Sequence, residues 1–130
     1  MEAHMSSILG EIEKAKRELE DATETLVELL KEHHEKKSEM INAQRLVGVL
    51  KSKLMTEAAN ATDNDGKKLY TNADSREAFV KNRLSTSKQQ QERDQLAKET
   101  DYLDTRIQQA KYIYKTKKAI LESFGFVLGK

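Results

Sequence analysis

The stretch ILGEIEKAKRELEDATETLVELLKEHHEKKSEMINAQRLVGVLKSKL, residues 8–54, decides the fold. Its apolar residues recur at alternating intervals of four and three without a slip. They are Ile8, Ile12, Ala15, Leu19, Ala22, Leu26 and Leu29, then, past His33 and Lys36, Met40, Ala43, Val47, Leu50 and Leu54. An α-helix turns once every 3.6 residues, so this spacing lines one stripe of its surface. Twelve of the fourteen positions are apolar, which predicts a long helix with a coiled-coil seam. The rhythm returns in the second half at Leu96, Thr100, Leu103, Ile107, Ala110, Tyr114, Lys117, Leu121 and Phe124. Between Phe79 and Leu96 it thins to Leu84, followed by Ser85, Thr86, Ser87 and Gln89 to Gln91, and a stutter or loosely packed stretch is expected there.

Between the two seams lies a segment rich in Asn, Asp and Gly, residue types that favour turns. The layout read from these signals is a single domain over 6–130, with a helix over 6–60, a connection over 61–73, a second helix over 74–124 and a short C-terminal tail. Residues 1–5 (Met-Glu-Ala-His-Met) read as an appended leader, with Met5 the candidate natural start. Asn72 or Asp74 can cap the second helix, and Gly125 followed by Phe126 suits a glycine-capped stop whose tail packs back. The fold class is therefore all-α, a long antiparallel two-helix coiled-coil hairpin. Folding about residue 67 pairs residues whose numbers add to roughly 134. Leu50 then lies near Leu84, Leu54 near Val80 and Ile12 near Glu122, while His33 and Lys36 face Glu99, Thr100 and Asp101.

One seam does not use every apolar side chain. Leu9, Val27, Leu30, Ile41, Leu46, Val49 and Met55 fall off it in the first helix, as do Tyr102, Tyr112, Ile113 and Ile120 in the second. Two-stranded coils keep such positions polar, whereas four-helix packing buries them. The hairpin is thus expected to self-associate into a helical bundle or ring, a dimer by default, through Leu9, Leu30, Leu46, Tyr112, Ile113 and Ile120.

Composition agrees with a narrow seam in place of a thick core: 37% of residues are hydrophobic, 35% charged and 5% aromatic, with no Pro or Trp. No cysteine means no disulfide framework and no thiolate site, and a cytoplasmic, reducing setting is expected. No apolar run reaches the roughly 20 residues that cross a bilayer, so no membrane partner is expected.

Candidate chemistry is sparse. His33 and His34 are adjacent, about 100° apart around a helix, and cannot chelate one ion as an i, i+4 pair would. Asp63-Asn-Asp-Gly66 resembles the start of a calcium loop. Aligning Gly66 with that loop's invariant glycine, however, places Ala61 at the first ligand position and Asn72 where a bidentate Glu is needed. There is no glycine-rich phosphate loop and no nucleophile motif. The sequence predicts a non-enzyme with no catalytic residues, no metal and no cofactor.

Charge carries more. Residues 1–66 hold 9 Lys+Arg and 14 Asp+Glu, net −5, and residues 67–130 hold 14 and 8, net +6. One reading is an acidic helix pairing with a basic one to fix the antiparallel register. The other is a basic end made by Lys67, Lys68, Arg76, Lys81, Arg83 and Lys88, joined by Lys51 and Lys53, with Tyr70 and Phe79 available for stacking. That combination suits single-stranded nucleic acid.

The stretch Lys68-Leu-Tyr-Thr-Asn-Ala-Asp-Ser-Arg-Glu-Ala78 resembles the turn segment of small coiled-coil proteins encoded by phages and prophages. In that group an Asn followed four residues later by Arg opens the second helix, here Asn72 and Arg76. More distantly, the length, the Asp- and Gly-bearing tip and the ending Ser123-Phe-Gly-Phe126 are similar to phage recombination mediators. These are oligomeric helical proteins that bind single-stranded DNA and help load a recombinase. The resemblance implies a homo-oligomeric DNA-metabolism accessory in a phage- or prophage-bearing bacterial cell, partnered with single-stranded DNA or a DNA-handling protein. The alternative expectation is a protein-binding scaffold or inhibitor that inserts its tip into a host machine, carrying Asp63 and Asp65 there much as the transcription cleavage factors do.

Overall fold

A computed structural model of the chain describes residues 2–127, with side-chain environments from Met5 to Gly125. Met1 of the expected leader and residues 128–130 of the expected tail lie outside the described residues. The described residues are all-helical, without a strand. Helix α1 spans Glu2–Asn60, α2 spans Ala73–Ser85 and α3 spans Lys88–Val127. No helix among them is long and apolar enough to cross a membrane. The chain packs as two compact units, one combining residues up to His34 with those from Asp101 onward, the other made of Glu35–Thr100.

In the first unit α1 and α3 run in opposite directions, because Glu18 meets Lys117 at 3.0 Å and, farther along α1, His33 meets Asp104 at 2.7 Å. Leu29, Leu103, Ile107 and Ala110 form the core, with Leu26 packed on it. Ala15 and Ala22 are buried as well, and Ile8, Ile12, Leu19, Tyr114, Leu121 and Phe124 are half-buried. Hydrogen bonding from Lys117, reinforced by its charge, holds the Glu18 carboxyl below its usual value.

In the second unit the end of α1 packs on α2 and on the start of α3. Leu54, Ala58 and Val80 are its core, and Leu50, Tyr70, Phe79 and Leu84 close around them. Lys36 reaches Glu99 at 3.4 Å, and Arg93 donates to Gln44 at 2.8 Å. The hydrogen bond to Glu99 comes first among the causes that raise the Lys36 ammonium above its usual pKa, followed by the Glu39 charge. Leu50, Leu54, Val80 and Leu84 gather in one cluster, as a fold about residue 67 expects, while Lys36 with Glu99 and Gln44 with Arg93 add to 135 and 137. At Thr86 and Ser87 the helix expected over 74–124 divides into α2 and α3.

Hydroxyl chemistry explains that division. The Ser85 and Thr86 hydroxyls both donate to the Asn82 carbonyl, at 2.8 and 3.4 Å. The Ser87 hydroxyl donates to the Leu84 carbonyl at 2.7 Å and accepts the Gln90 backbone N–H at 3.1 Å, which caps α3. Three consecutive hydroxyl side chains thus offer the backbone partners that compete with a continuous helix. A second correction falls at the C-terminus. The expected stop at Gly125 does not occur, since α3 continues through it to Val127. A helical glycine costs only about 1 kcal/mol relative to alanine, and neither Phe126 nor Val127 breaks a helix. At the other end α1 takes in residues 2–5, assigned above to the leader.

The polar positions of the seam have partners, though not all the expected ones. His33 faces Asp104, not Glu99, Thr100 or Asp101, and its Nε2 is buried without hydrogen-bond geometry. Thr100 is buried, and its hydroxyl donates to the Leu96 carbonyl one turn back. Such contacts discriminate between registers more than they stabilise, because each charge loses water on entering the seam. Replacing His33, Lys36 and Glu99 together with Leu is expected to raise the melting temperature by several degrees. A lower melting temperature in a thermal scan would contradict this. For the register beside the connection, cysteines at Leu50 and Leu84 are expected to crosslink within one chain. Preferential bonding of a Leu50 cysteine to one at Leu103 would overturn that pairing.

Candidate functional site

Residues 61–72 join α1 to α2 through a turn tied together by its own hydrogen bonds. The Asp63 carboxylate accepts backbone N–H groups from Asp65 at 2.8 Å and Lys67 at 3.0 Å. Its own N–H donates to the Lys67 carbonyl at 2.7 Å, and its carbonyl accepts from Gly66 at 3.1 Å. Thr62 and Lys68 form an antiparallel bridge just outside. Gly66 adopts φ of 82°, a conformation that side chains disfavour, so a glycine is needed at this place. The Asp63-Asn-Asp-Gly66 stretch is therefore a turn whose first carboxylate serves the backbone. Lys67 and Lys68 project from it, exposed.

Asn72 caps α2. Its side chain accepts the Ser75 N–H at 2.8 Å while the Ser75 hydroxyl faces the Asn72 N–H at 3.4 Å, a reciprocal box of the kind that satisfies orphan donors. Arg76 donates to the Tyr70 carbonyl at 3.4 Å, which fastens the end of the connection to the helix. The Tyr70 and Phe79 rings lie 4.9 Å apart at 41°, half-buried against the Leu54–Ala58–Val80 core. The Arg83 guanidinium sits 5.2 Å from the Phe79 centroid. The two aromatic side chains expected to stack on a ligand thus stack first on each other.

The expected site residues on α2 line two clefts. Arg76 and Lys81 face a groove of about 920 Å³ whose other lining includes Lys51 and Met55 of α1 and Val80 and Leu84 of α2. Phe79 and Arg83 face a smaller cleft of about 400 Å³ with Tyr70, Ser75, Ala78 and Asn82. Lys88 opens α3, exposed, and lines neither cleft. The eight expected residues accordingly make no single patch. Sequence reasoning missed Asn82 and the apolar groove floor. The Ser87-Lys-Gln-Gln90 capping pattern was the available signal for the helix break beside that floor.

Among the described residues, none of Lys51, Lys53, Lys67, Lys68, Arg76, Lys81, Arg83 and Lys88 has a carboxylate within 4.0 Å, whereas Lys36 and Lys117 on the seams do. A further groove of about 420 Å³, in the first unit, collects no single charge. It mixes Glu18 and Asp21 with Arg106 and Lys117 over a floor of Ala22 and Ala110. The residues expected at an oligomer interface, Leu9, Leu30, Leu46, Tyr112, Ile113 and Ile120, are 40% to 73% exposed. Among the described residues no group of three or more His, Asp or Glu side chains is placed to hold a metal ion. Comparison with protein-family models, curated proteins and solved structures finds no match to this chain.

Proposed function

We propose that the protein is a non-enzymatic accessory of phage-type DNA metabolism, a self-associating antiparallel helical hairpin that binds single-stranded DNA through the unit bearing the connection. The observation that carries this reading is the set of unneutralised cations at Lys51, Lys53, Lys67, Lys68, Arg76, Lys81, Arg83 and Lys88. If the basic residues of the second half served only to pair with the acidic first helix, they would all resemble Lys117 on Glu18. Instead the cations around the connection have no carboxylate within 4.0 Å among the described residues, which is equally true of Lys98, Arg106, Lys111 and Lys115 farther along α3, so it is their concentration at the connection that counts. Residues 50–90 carry eight Lys+Arg against five Asp+Glu, and one of those acids, Asp63, already accepts two backbone N–H groups. Phosphates would neutralise the remainder, releasing condensed counterions and making affinity salt-dependent.

Titrating a fluorescent oligo-dT with the protein at several salt concentrations tests this by anisotropy. Binding that weakens steeply with salt supports it, and no binding at low salt sinks it. A second reading, docking of a DNA-handling or other host protein, is favoured by the groove that joins apolar Met55, Val80 and Leu84 with charges of both signs, Lys51, Arg76 and Lys81 beside Glu77 and Asp94, since apolar linings suit side-chain anchors. Capture of a partner that survives nuclease treatment and is lost on Leu84→Asp would select it.

A further inference from the structure

We propose that the cleft on the Phe79 side of α2 is a nucleobase subsite, in which one unstacked base lies against the Arg83 guanidinium over Phe79 while the Asn82 carboxamide bonds its edge. This rests on the single-stranded DNA reading above and goes beyond it, because phosphate neutralisation alone gives no role to bases.

Three features of the cleft converge on a flat, polar-edged ligand. Its floor is rigid, since Tyr70 and Phe79 are packed on each other at 4.9 Å and on the Leu54–Ala58–Val80 core. Its wall is a planar cation, Arg83, which is exposed, lies 5.2 Å from the Phe79 centroid and has no carboxylate within 4.0 Å among the described residues. A guanidinium in that position presents a second stacking surface to anything entering the cleft. Its rim carries Asn82, exposed, whose side-chain amide has no hydrogen-bond partner among the described residues. One amide offers two donors and an acceptor side by side, which matches the adjacent donor and acceptor of a base edge.

The other two lining residues fit the same use. Ala78 is small and leaves the space open, while the Ser75 hydroxyl is committed to the Asn72 cap and is not a reader. At about 400 Å³ the cleft is near the lower end of the range for small-ligand sites. A contrasting pair shows why a stacked arginine alone is not enough. Arg106 lies 5.8 Å over Tyr102 in the first unit, but Tyr102 lines no cleft among those described.

The test compares fluorescent oligo-dT with a fully abasic strand of equal length, using the intact chain and its Asn82→Ala and Arg83→Lys variants. Both positions are exposed, and unchanged circular dichroism melts confirm folding. The intact chain is expected to bind the base-bearing strand about tenfold tighter than the abasic one, the scale of one stacked base. Arg83→Lys keeps the charge but loses the plane, so it removes most of that difference and leaves the salt dependence alone. Asn82→Ala lowers the preference severalfold. Equal, salt-dependent affinity for both strands would overturn the subsite and leave the electrostatic reading standing. Full base preference retained in both variants would also overturn it. Binding of neither strand would bring down both proposals.

Discussion

Changing Lys67, Lys68, Arg76 and Arg83 together to Ala is expected to remove most single-stranded DNA binding and, more tellingly, most of its salt dependence. Each phosphate contact on a single strand adds about −0.7 to the slope of log affinity against log salt. Loss of four contacts should flatten that slope by about 3. Between 50 and 200 mM salt the intact chain would then lose roughly fifty-fold more affinity than the variant. The residues are well chosen for the test, because none has a carboxylate partner among the described residues. Among the described residues only Arg76 of the four holds a side-chain hydrogen bond, to the Tyr70 carbonyl, and an Arg76→Lys control with the other three changes separates that tether from charge. An unchanged slope would place the DNA contact, or the function, elsewhere. A protein partner lost from the same variant while no DNA binds to the intact chain would favour the groove of Arg76, Lys81 and Leu84 instead.

What could be read in advance was what repeats. Every one of the fourteen seam positions from Ile8 to Leu54 is buried or half-buried, as are all nine from Leu96 to Phe124. A heptad is legible because each position is tested by its neighbours four and three residues away, so one polar intrusion such as Lys36 does not hide it. The exposed apolar set was legible for the same reason: once the seam is phased, Val27, Ile41 and Met55 have nowhere inward to point.

The helix break was not legible in that way. Ser85, Thr86 and Ser87 are compatible with a weak helix, and the outcome depends on where three hydroxyls find carbonyls. His33 meets Asp104, where the simple count from residue 67 pointed to Asp101. The candidate site was legible as a list of residue types and not as an arrangement. That Arg76 and Arg83 line different clefts was not legible, because seven residues make nearly two full helical turns and place both on one face of α2.

The side chains left over by the seams lead to the second large effect. Leu30→Glu with Ile113→Glu is expected to dissociate the protein to a 14.9 kDa chain in light scattering while far-UV helicity stays largely intact. Leu30 and Ile113 are 44% and 48% exposed, so neither belongs to the Leu29–Leu103–Ile107–Ala110 core, and charge there costs the isolated fold little. In an oligomer they would be covered, and full burial of such a side chain contributes roughly 1.5–3 kcal/mol. A symmetric interface uses each residue twice. Two buried glutamates per chain would also lose their water without gaining partners, which adds to the loss. The supporting pattern is the width of the exposed apolar set, since Leu9, Leu46, Tyr112 and Ile120 share it and a solvated helix face has no use for all of them. Association would multiply the cationic connections presented to one strand, raising avidity without any new contact. A single 14.9 kDa species for the unaltered chain across micromolar concentrations would refute self-association, and any strong DNA binding would then have to come from one connection acting alone.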